Sequence, residues 1–153
     1  MKARDIMITD FAIISTKSLV SDAVKQLKKN FGDESYLNAA PGLVVVNEQG
    51  EFAGILSPLT ILRALTDQMA VTGRPVDGDY LELCAPLREK RVEDIMDWQA
   101  ISVTEDASLL DVADIFVTHR FQRIPVVKGK AVIGLIYRTR LMFALTSCLD
   151  APQ

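Results

Sequence analysis

Residues 123–142 read RIPVVKGKAVIGLIYRTRLM, and this stretch decides the fold. The β-branched and aliphatic residues of 124–127 and 132–136 predict two strands, and the segment 128–130 places a glycine in the short turn between them. Apolar residues at helical spacing then predict a helix directly after the second strand: Leu141, Met142, Leu145 and Leu149.

The same construction occurs earlier, at residues 42–62, which read GLVVVNEQGEFAGILSPLTIL. Here the pattern predicts a strand, a turn at 47–50, a strand that ends at Leu56, and a helix from Pro58 to about Thr72, because proline suits the first turn of a helix. A unit of this length that recurs in one chain indicates an internal duplication.

Three shorter echoes support the duplication. Residues 4–7 (RDIM) are repeated at 93–96 (EDIM), and Ser18-Leu19 is repeated at Ser108-Leu109, where each serine stands at a predicted helix N-cap. An amphipathic helix follows each cap. Its apolar stripe is Leu19, Ala23, Val24, Leu27 and Phe31 in the first copy and Leu109, Val112, Ala113, Phe116 and Val117 in the second.

The copies differ most before their second strand. Residues 32–41 form a longer predicted loop in the first copy, whereas only 118–122 fill this place in the second. The segment 73–91 is rich in glycine, proline and aspartate, which predicts a connector with room for a helical turn near 80–84. We therefore divide the chain into a first repeat at 1–72, a connector at 73–91 and a second repeat at 92–153.

Composition excludes several classes of function. Of the 153 residues, 49% are hydrophobic and 24% are charged. The net charge of −3 disfavours general binding to nucleic acid. His119 is the only histidine, so no site can use two histidines as metal ligands, and Cys84 and Cys148 lack metal or redox spacing. No leader-like start and no run of about 18 apolar residues is present, which predicts a cytoplasmic protein that does not enter a membrane.

The order of these parts resembles a tandem pair of cystathionine-β-synthase (CBS) domains, also called a Bateman module. The motifs that carry the resemblance are DIM at 5–7 and 94–96, GILS at 54–57, RIPVV at 123–127 and GLIY at 134–137. The resemblance covers nearly the whole chain. It implies an α/β (α+β) fold of two β-α-β-β-α repeats, packed with pseudo-two-fold symmetry around clefts that bind AMP, ADP, ATP or S-adenosylmethionine.

In the family, a serine or threonine closes the third strand and an aspartate three residues later joins it in holding ribose hydroxyls. These places fall on Ser57 and Thr60 in the first copy and on Tyr137 and Arg140 in the second. Neither copy has the aspartate, so a carboxylate acceptor is missing from the usual position. The clefts either bind a different ligand, bind it weakly, or are empty.

Other side chains extend the predicted ligand site. Arg138 and Arg140 stand at a helix start, where an anion such as phosphate is favoured, and Arg120 and Arg123 precede the second strand. The alternative is that these arginines are solvated or paired with some of the 20 carboxylates. Trp98, the only tryptophan, either stacks on a base or covers apolar surface between the repeats.

The final helix of each repeat offers a surface for self-association. Its apolar positions are Ile61 and Leu65 in the first copy and Leu141 and Leu145 in the second. These residues either belong entirely to the core or form a homodimer interface, for which closed two-fold pairing is the commonest solution.

Two functions follow from the resemblance. The first is a stand-alone CBS-pair regulatory or sensor module without enzymatic activity, homodimeric, which binds an adenosine-containing or anionic ligand and signals to an effector protein in trans, since no residues remain for an effector domain. The second is an interaction or assembly protein of the same fold whose nucleotide clefts are degenerate and ligand-free. The missing aspartates favour the second function, and Ser57, Arg138 and Arg140 favour the first.

Overall fold

The computed structural model describes residues 1–31, 42–75, 80–98 and 101–150. In chain order the elements are α1 (Ala3–Ile6), β1 (Ile13–Ser15), α2 (Val20–Phe31), β2 (Leu43–Val46), β3 (Phe52–Leu56), α3 (Pro58–Thr72), α4 (Leu81–Cys84), a 3-10 helix (Ala85–Glu89), α5 (Val92–Ile95), β4 (Val103–Thr104), α6 (Leu109–His119), β5 (Arg123–Lys128), β6 (Ala131–Tyr137), α7 (Arg138–Leu145) and a 3-10 helix (Ser147–Leu149). The loop predicted at 32–41 lies outside the described residues.

Two three-stranded sheets of identical topology confirm the duplication. In the first, β1 pairs parallel with β2 and β2 pairs antiparallel with β3; in the second, β4, β5 and β6 do the same. The registers also match, because Val45 lies opposite Gly54 and Val126 lies opposite Gly134. Each repeat therefore has the β-α-β-β-α order that the sequence predicts.

The chain forms two compact units that do not coincide with the sequence repeats. The central unit contains residues 12–31, 42–75 and 80–98, and the terminal unit contains residues 1–11 and 101–150. The predicted division at 1–72, 73–91 and 92–153 describes repeats along the sequence, whereas these units describe packing. Each copy of the Asp-Ile-Met segment packs in the unit built on the other repeat's sheet.

Backbone hydrogen bonds fix both exchanged segments. In the terminal unit, Ala3 N–H donates to the Ala107 carbonyl oxygen at 2.9 Å, and Ile8 exchanges two hydrogen bonds with Leu135 of β6. In the central unit, Val92 N–H donates to the Ser18 carbonyl oxygen at 2.8 Å. Backbone hydrogen bonds therefore attach each segment to its unit independently of the side chains.

Each unit has its own hydrophobic core between its helices and one face of its sheet. The central core buries Ile14, Ala23, Leu27, Leu43, Val45, Leu56, Val92 and Met96. The terminal core buries Ala3, Ile6, Val103, Leu109, Val112, Phe116, Ile124, Val126, Ile136 and Leu141. The stripe predicted for α6 is too wide at one end, because Val117 is 79% exposed. The buried residues of α6 are Leu109, Val112 and Phe116, and Val117 instead lines a groove described below.

Two strand glycines allow a neighbouring segment to lie directly on the sheet. A Cβ atom at Gly54 would lie 2.1 Å from the carbonyl oxygen of Asp97, and one at Gly134 would lie 2.6 Å from the sulfur of Met7. Glycine inside a strand commonly marks such a close approach. The two glycines therefore make room for the two Asp-Ile-Met segments.

Across the described ranges, no helix has the length and apolar character that a membrane span requires.

Candidate functional site

The candidate site of the central unit begins where β3 ends and α3 starts. Ser57 is the N-cap of α3, and its hydroxyl oxygen accepts a hydrogen bond from Thr60 N–H at 3.4 Å. The Thr60 hydroxyl in turn accepts from Ser57 N–H, also at 3.4 Å. Because this reciprocal cap holds Thr60 and leaves it only 2% exposed, its hydroxyl has a fixed position.

A carboxylate from a distant part of the chain meets this cap. The Thr60 hydroxyl donates to Oδ2 of Asp97 at 3.0 Å, and Nη1 of Arg63 donates to Oδ1 at 3.0 Å. The hydroxyls of Ser57 and Thr60 lie 3.2 Å apart. We call Ser57, Thr60, Arg63 and Asp97 the central polar cluster; it has donors, acceptors and one charge of each sign.

The cluster is open to solvent on the side of its charged members. The side chains of Asp97 and Arg63 are 55% and 53% exposed, and the adjoining Trp98 is 63% exposed. Of the predicted site residues, Ser57 and Thr60 thus meet in the cluster, and Trp98 follows its member Asp97 directly in the sequence.

Sequence reasoning missed Asp97 and Arg63. One signal was available, because the residue after the repeated Asp-Ile-Met is Ile8 in the first copy and Asp97 in the second. Ile8 pairs with Leu135 as Asp97 pairs with Ile55, so the two positions are equivalent in the structure. A charged residue at a place where the other copy has an apolar one indicates a local function for the charge.

The equivalent place in the terminal unit is filled by two large side chains. Tyr137 takes the position of Ser57 and lies opposite Arg123 in the sheet, with the guanidinium carbon 6.0 Å from the ring centroid. Both are buried, and Arg123 is only 6% exposed. Burial lowers the pKa of Arg123, and its interaction with Tyr137 partly opposes this shift. Arg123 and Tyr137 therefore stabilise each other inside the unit.

The remaining predicted arginines lie around the start of α7. Arg138 N–H donates to the Gln122 carbonyl oxygen at 3.2 Å, and Arg138 is exposed whereas Arg140 is half-buried. Arg120 ends α6 in the left-handed conformation, with φ of 56°. In the part of the chain that the structure describes, Arg120, Arg138 and Arg140 form no ion pair with a carboxylate.

Arg120 and Arg138 line an open groove of about 550 Å³ between α6 and α7. Its other lining residues are mainly apolar: Ala113, Phe116, Val117, Thr139, Leu141, Met142, Leu145 and Thr146. Of the predicted interface residues, Leu145 is exposed there, while Leu141 is buried in the terminal core and Ile61 and Leu65 are half-buried on α3. Apolar side chains are also exposed outside the groove, among them Leu59 and Leu62 on α3 and Phe143 on α7.

Comparison with known proteins gives a family match and a relative of similar sequence. The family model described as CBS domain matches residues 3–67 and 92–147. The uncharacterized protein YlbB of Bacillus subtilis (strain 168) is 27% identical over 136 residues, which is 88% of this chain and 76% of that protein.

Solved structures share the fold at lower identity. The crystal structure of CBSX2 in complex with AMP has a TM-score of 0.71 and 20% identity, covering 97% of this chain and 98% of that chain. The cytosolic domain of the Mg²⁺ channel MgtE in complex with ATP has a TM-score of 0.67 and 18% identity, covering 94% of this chain and 48% of that chain.

Proposed function

The chain belongs to the CBS domain family, as a tandem CBS pair, and on this premise we propose that it is a regulatory, non-enzymatic module that binds an adenosine-containing ligand and signals to a separate effector protein. The observation that carries the proposal is the central polar cluster, half open to solvent beside Trp98. Two proteins of the same fold, CBSX2 and the MgtE cytosolic domain, have been crystallised with AMP and ATP, which supports an adenine nucleotide as the ligand.

Trp98 supports the same ligand class. Tryptophan is usually buried to a large extent, yet Trp98, which follows Asp97 in the sequence, is 63% exposed. A flat aromatic surface beside hydrogen-bonding groups suits a purine ring that stacks while its sugar reaches the polar side chains. In the terminal unit, Arg138 and Arg140 at the start of α7 suit an anionic group such as phosphate.

A thermal-melt panel tests the proposal. AMP, ADP, ATP and S-adenosylmethionine are added separately to the purified protein, and one of them is expected to raise the melting temperature. A ligand at a hundred times its dissociation constant stabilises the folded state by about 2.7 kcal/mol. For a chain of this size that corresponds to several degrees.

The Trp98→Ala variant is the control, and it is expected to show a smaller shift with the same ligand because it lacks the stacking surface. If none of the four compounds moves the melting temperature of the wild-type protein, the proposal is wrong. The interaction or assembly protein with ligand-free clefts then becomes the better account.

We also propose that the module is a homodimer. Exposed apolar residues on α3 and α7, among them Leu62 and Leu145, supply contact surface beside the predicted positions Ile61, Leu65 and Leu141. Light scattering is expected to give about 34 kDa, twice the chain mass of 16.9 kDa.

The Leu145→Asp variant is expected to shift the mass towards 16.9 kDa, because a buried unpaired charge strongly opposes association. Leu110→Asp is the matched control, since Leu110 is exposed on α6 and is not among the groove residues. A wild-type protein that stays monomeric would refute the dimer. Equal masses for the two variants would show that Leu145 is not at the interface.

A further inference from the structure

The backbone of Asp97 is fixed by its contact with β3. Ile55 N–H of β3 donates to its carbonyl oxygen at 3.3 Å, and Gly54 leaves the space that this contact needs. On the other side, α5 ends at Ile95, and Met96, which joins it to Asp97, is buried in the central core. The position of Asp97 is therefore set by the fold and not by a free loop.

The carboxylate is also oriented. Thr60 donates to one oxygen and Arg63 to the other, each at 3.0 Å. A carboxylate has about four acceptor sites. With one donor on each oxygen and the side chain 55% exposed, acceptor capacity remains on both oxygens and faces solvent.

The neighbours of Asp97 restrict which donors fit there. Arg63 already places a positive charge on the carboxylate, so a metal ion or an ammonium group would meet repulsion. In the ranges that the structure describes, no group of three metal-ligating side chains exists, at Asp97 or elsewhere. The donors that fit best are neutral hydroxyl groups, and a vicinal diol offers two that can reach the two oxygens of one carboxylate.

We propose that Asp97 accepts hydrogen bonds from the two ribose hydroxyls of a nucleotide in the central unit, and that Thr60 and Arg63 position its carboxylate. This inference rests on the proposed function. Trp98 follows Asp97 directly in the sequence, and its exposed indole would supply a stacking surface for the base of the same ligand. The carboxylate absent from position 60 is thus supplied 37 residues later by another segment.

In the described part of the terminal unit, the equivalent positions carry other side chains. Ile8 stands in the place of Asp97, Tyr137 in the place of Ser57, and Phe143 in the place of Arg63. A ribose diol therefore finds its carboxylate acceptor in the central unit, and the chain binds one AMP molecule.

Titration calorimetry with AMP and 2′,3′-dideoxy-AMP tests the inference on both sides of the contact. On the wild-type protein, loss of the two hydroxyls is expected to weaken binding about a hundredfold or more, because each hydrogen bond to a charged group contributes about tenfold to a hundredfold. The Asp97→Asn variant is expected to bind AMP about as weakly as the wild-type protein binds the dideoxy compound. Removing the two hydroxyls from the ligand should then weaken its binding to this variant only slightly further.

Asp106→Asn is the matched control, because Asp106 is also an exposed aspartate paired with an arginine, Arg4. It is expected to bind both compounds like the wild-type protein. The comparison of AMP with its dideoxy form on the wild-type protein needs no variant, so it decides the question even if Asp97→Asn folds poorly.

The outcomes separate this inference from the proposed function. If AMP binds and the dideoxy compound binds equally well, or if Asp97→Asn retains full affinity for AMP, the role of Asp97 is overturned while the nucleotide-binding function stands. If AMP does not bind the wild-type protein at all, both fall together for this ligand. A stoichiometry of two AMP molecules per chain would overturn the single-site assignment.

Discussion

Replacing Gly54 with alanine is expected to lower the free energy of unfolding of the central unit by about 3 kcal/mol, at the upper end of the usual cost of overpacking. The new methyl carbon would lie 2.1 Å from the Asp97 carbonyl oxygen, which is a backbone atom and cannot rotate away. The segment at 96–98 must then leave the strand, and the hydrogen bond from Ile55 to Asp97 is lost. Urea unfolding followed by Trp98 fluorescence measures the change, because the only tryptophan lies in this segment.

Gly134→Ala provides the matched control in the other sheet. There the added methyl carbon meets atoms of the Met7 side chain, with the sulfur at 2.6 Å. The sulfur and Cγ of Met7 can rotate away, and only its Cβ, at 3.0 Å, must shift slightly. We therefore expect a loss of only about 1 kcal/mol, measured by far-UV circular dichroism. Equal losses for the two variants, or a larger loss for Gly134→Ala, would contradict the assignment of Gly54 to the backbone contact. Gly54→Ala should also weaken AMP binding, because it displaces Asp97.

Replacing Leu109 with alanine is expected to lower the free energy of unfolding by 2–5 kcal/mol, the range found for buried leucines. Leu109 is 4% exposed at the start of α6 and packs in the terminal core with Ala3, Ile6 and Val112. The truncation removes this contact and leaves a cavity beneath the helix. Urea unfolding followed by far-UV circular dichroism gives the value.

Leu110→Ala is the control, one residue later in the same helix. Leu110 is 68% exposed, so its truncation removes little packing and should change stability by less than about 0.5 kcal/mol. The pair isolates burial from helix propensity, since both variants make the same chemical change in the same turn. Similar losses for both would mean that α6 does not face the sheet as described.

The local features of the fold could be predicted from the sequence, because they are encoded by neighbouring residues. The Ser57–Thr60 cap arises from residues three apart, and α3 begins and ends at the predicted residues, Pro58 and Thr72. The two strand pairs likewise follow from apolar runs around short turns. In each case the residues that determine the element lie within it.

The rest depends on contacts between distant residues. Nothing in the local pattern of the Asp-Ile-Met segments shows that each packs in the unit of the other repeat. The hydrogen bond from Thr60 to Asp97 spans 37 residues. The motif that predicted Ser57 and Thr60 therefore gave no information about Asp97. Arg123 and Tyr137 are a similar case, because a strand pattern predicts their pairing but not that an arginine becomes buried against an aromatic ring.

The exchange of segments between units also sets an order of folding. During synthesis, the central unit is complete once residues 12–98 have emerged, whereas Ala3 must wait for Ala107, its hydrogen-bonding partner, and Ile8 for Leu135. Closing so long a loop costs little more than closing a short one, since each doubling of length adds only about 0.6 kcal/mol. Contacts that are distant in sequence do slow folding, however. We therefore expect α1 to take its place later than the central unit, once Ala107 and Leu135 have been made.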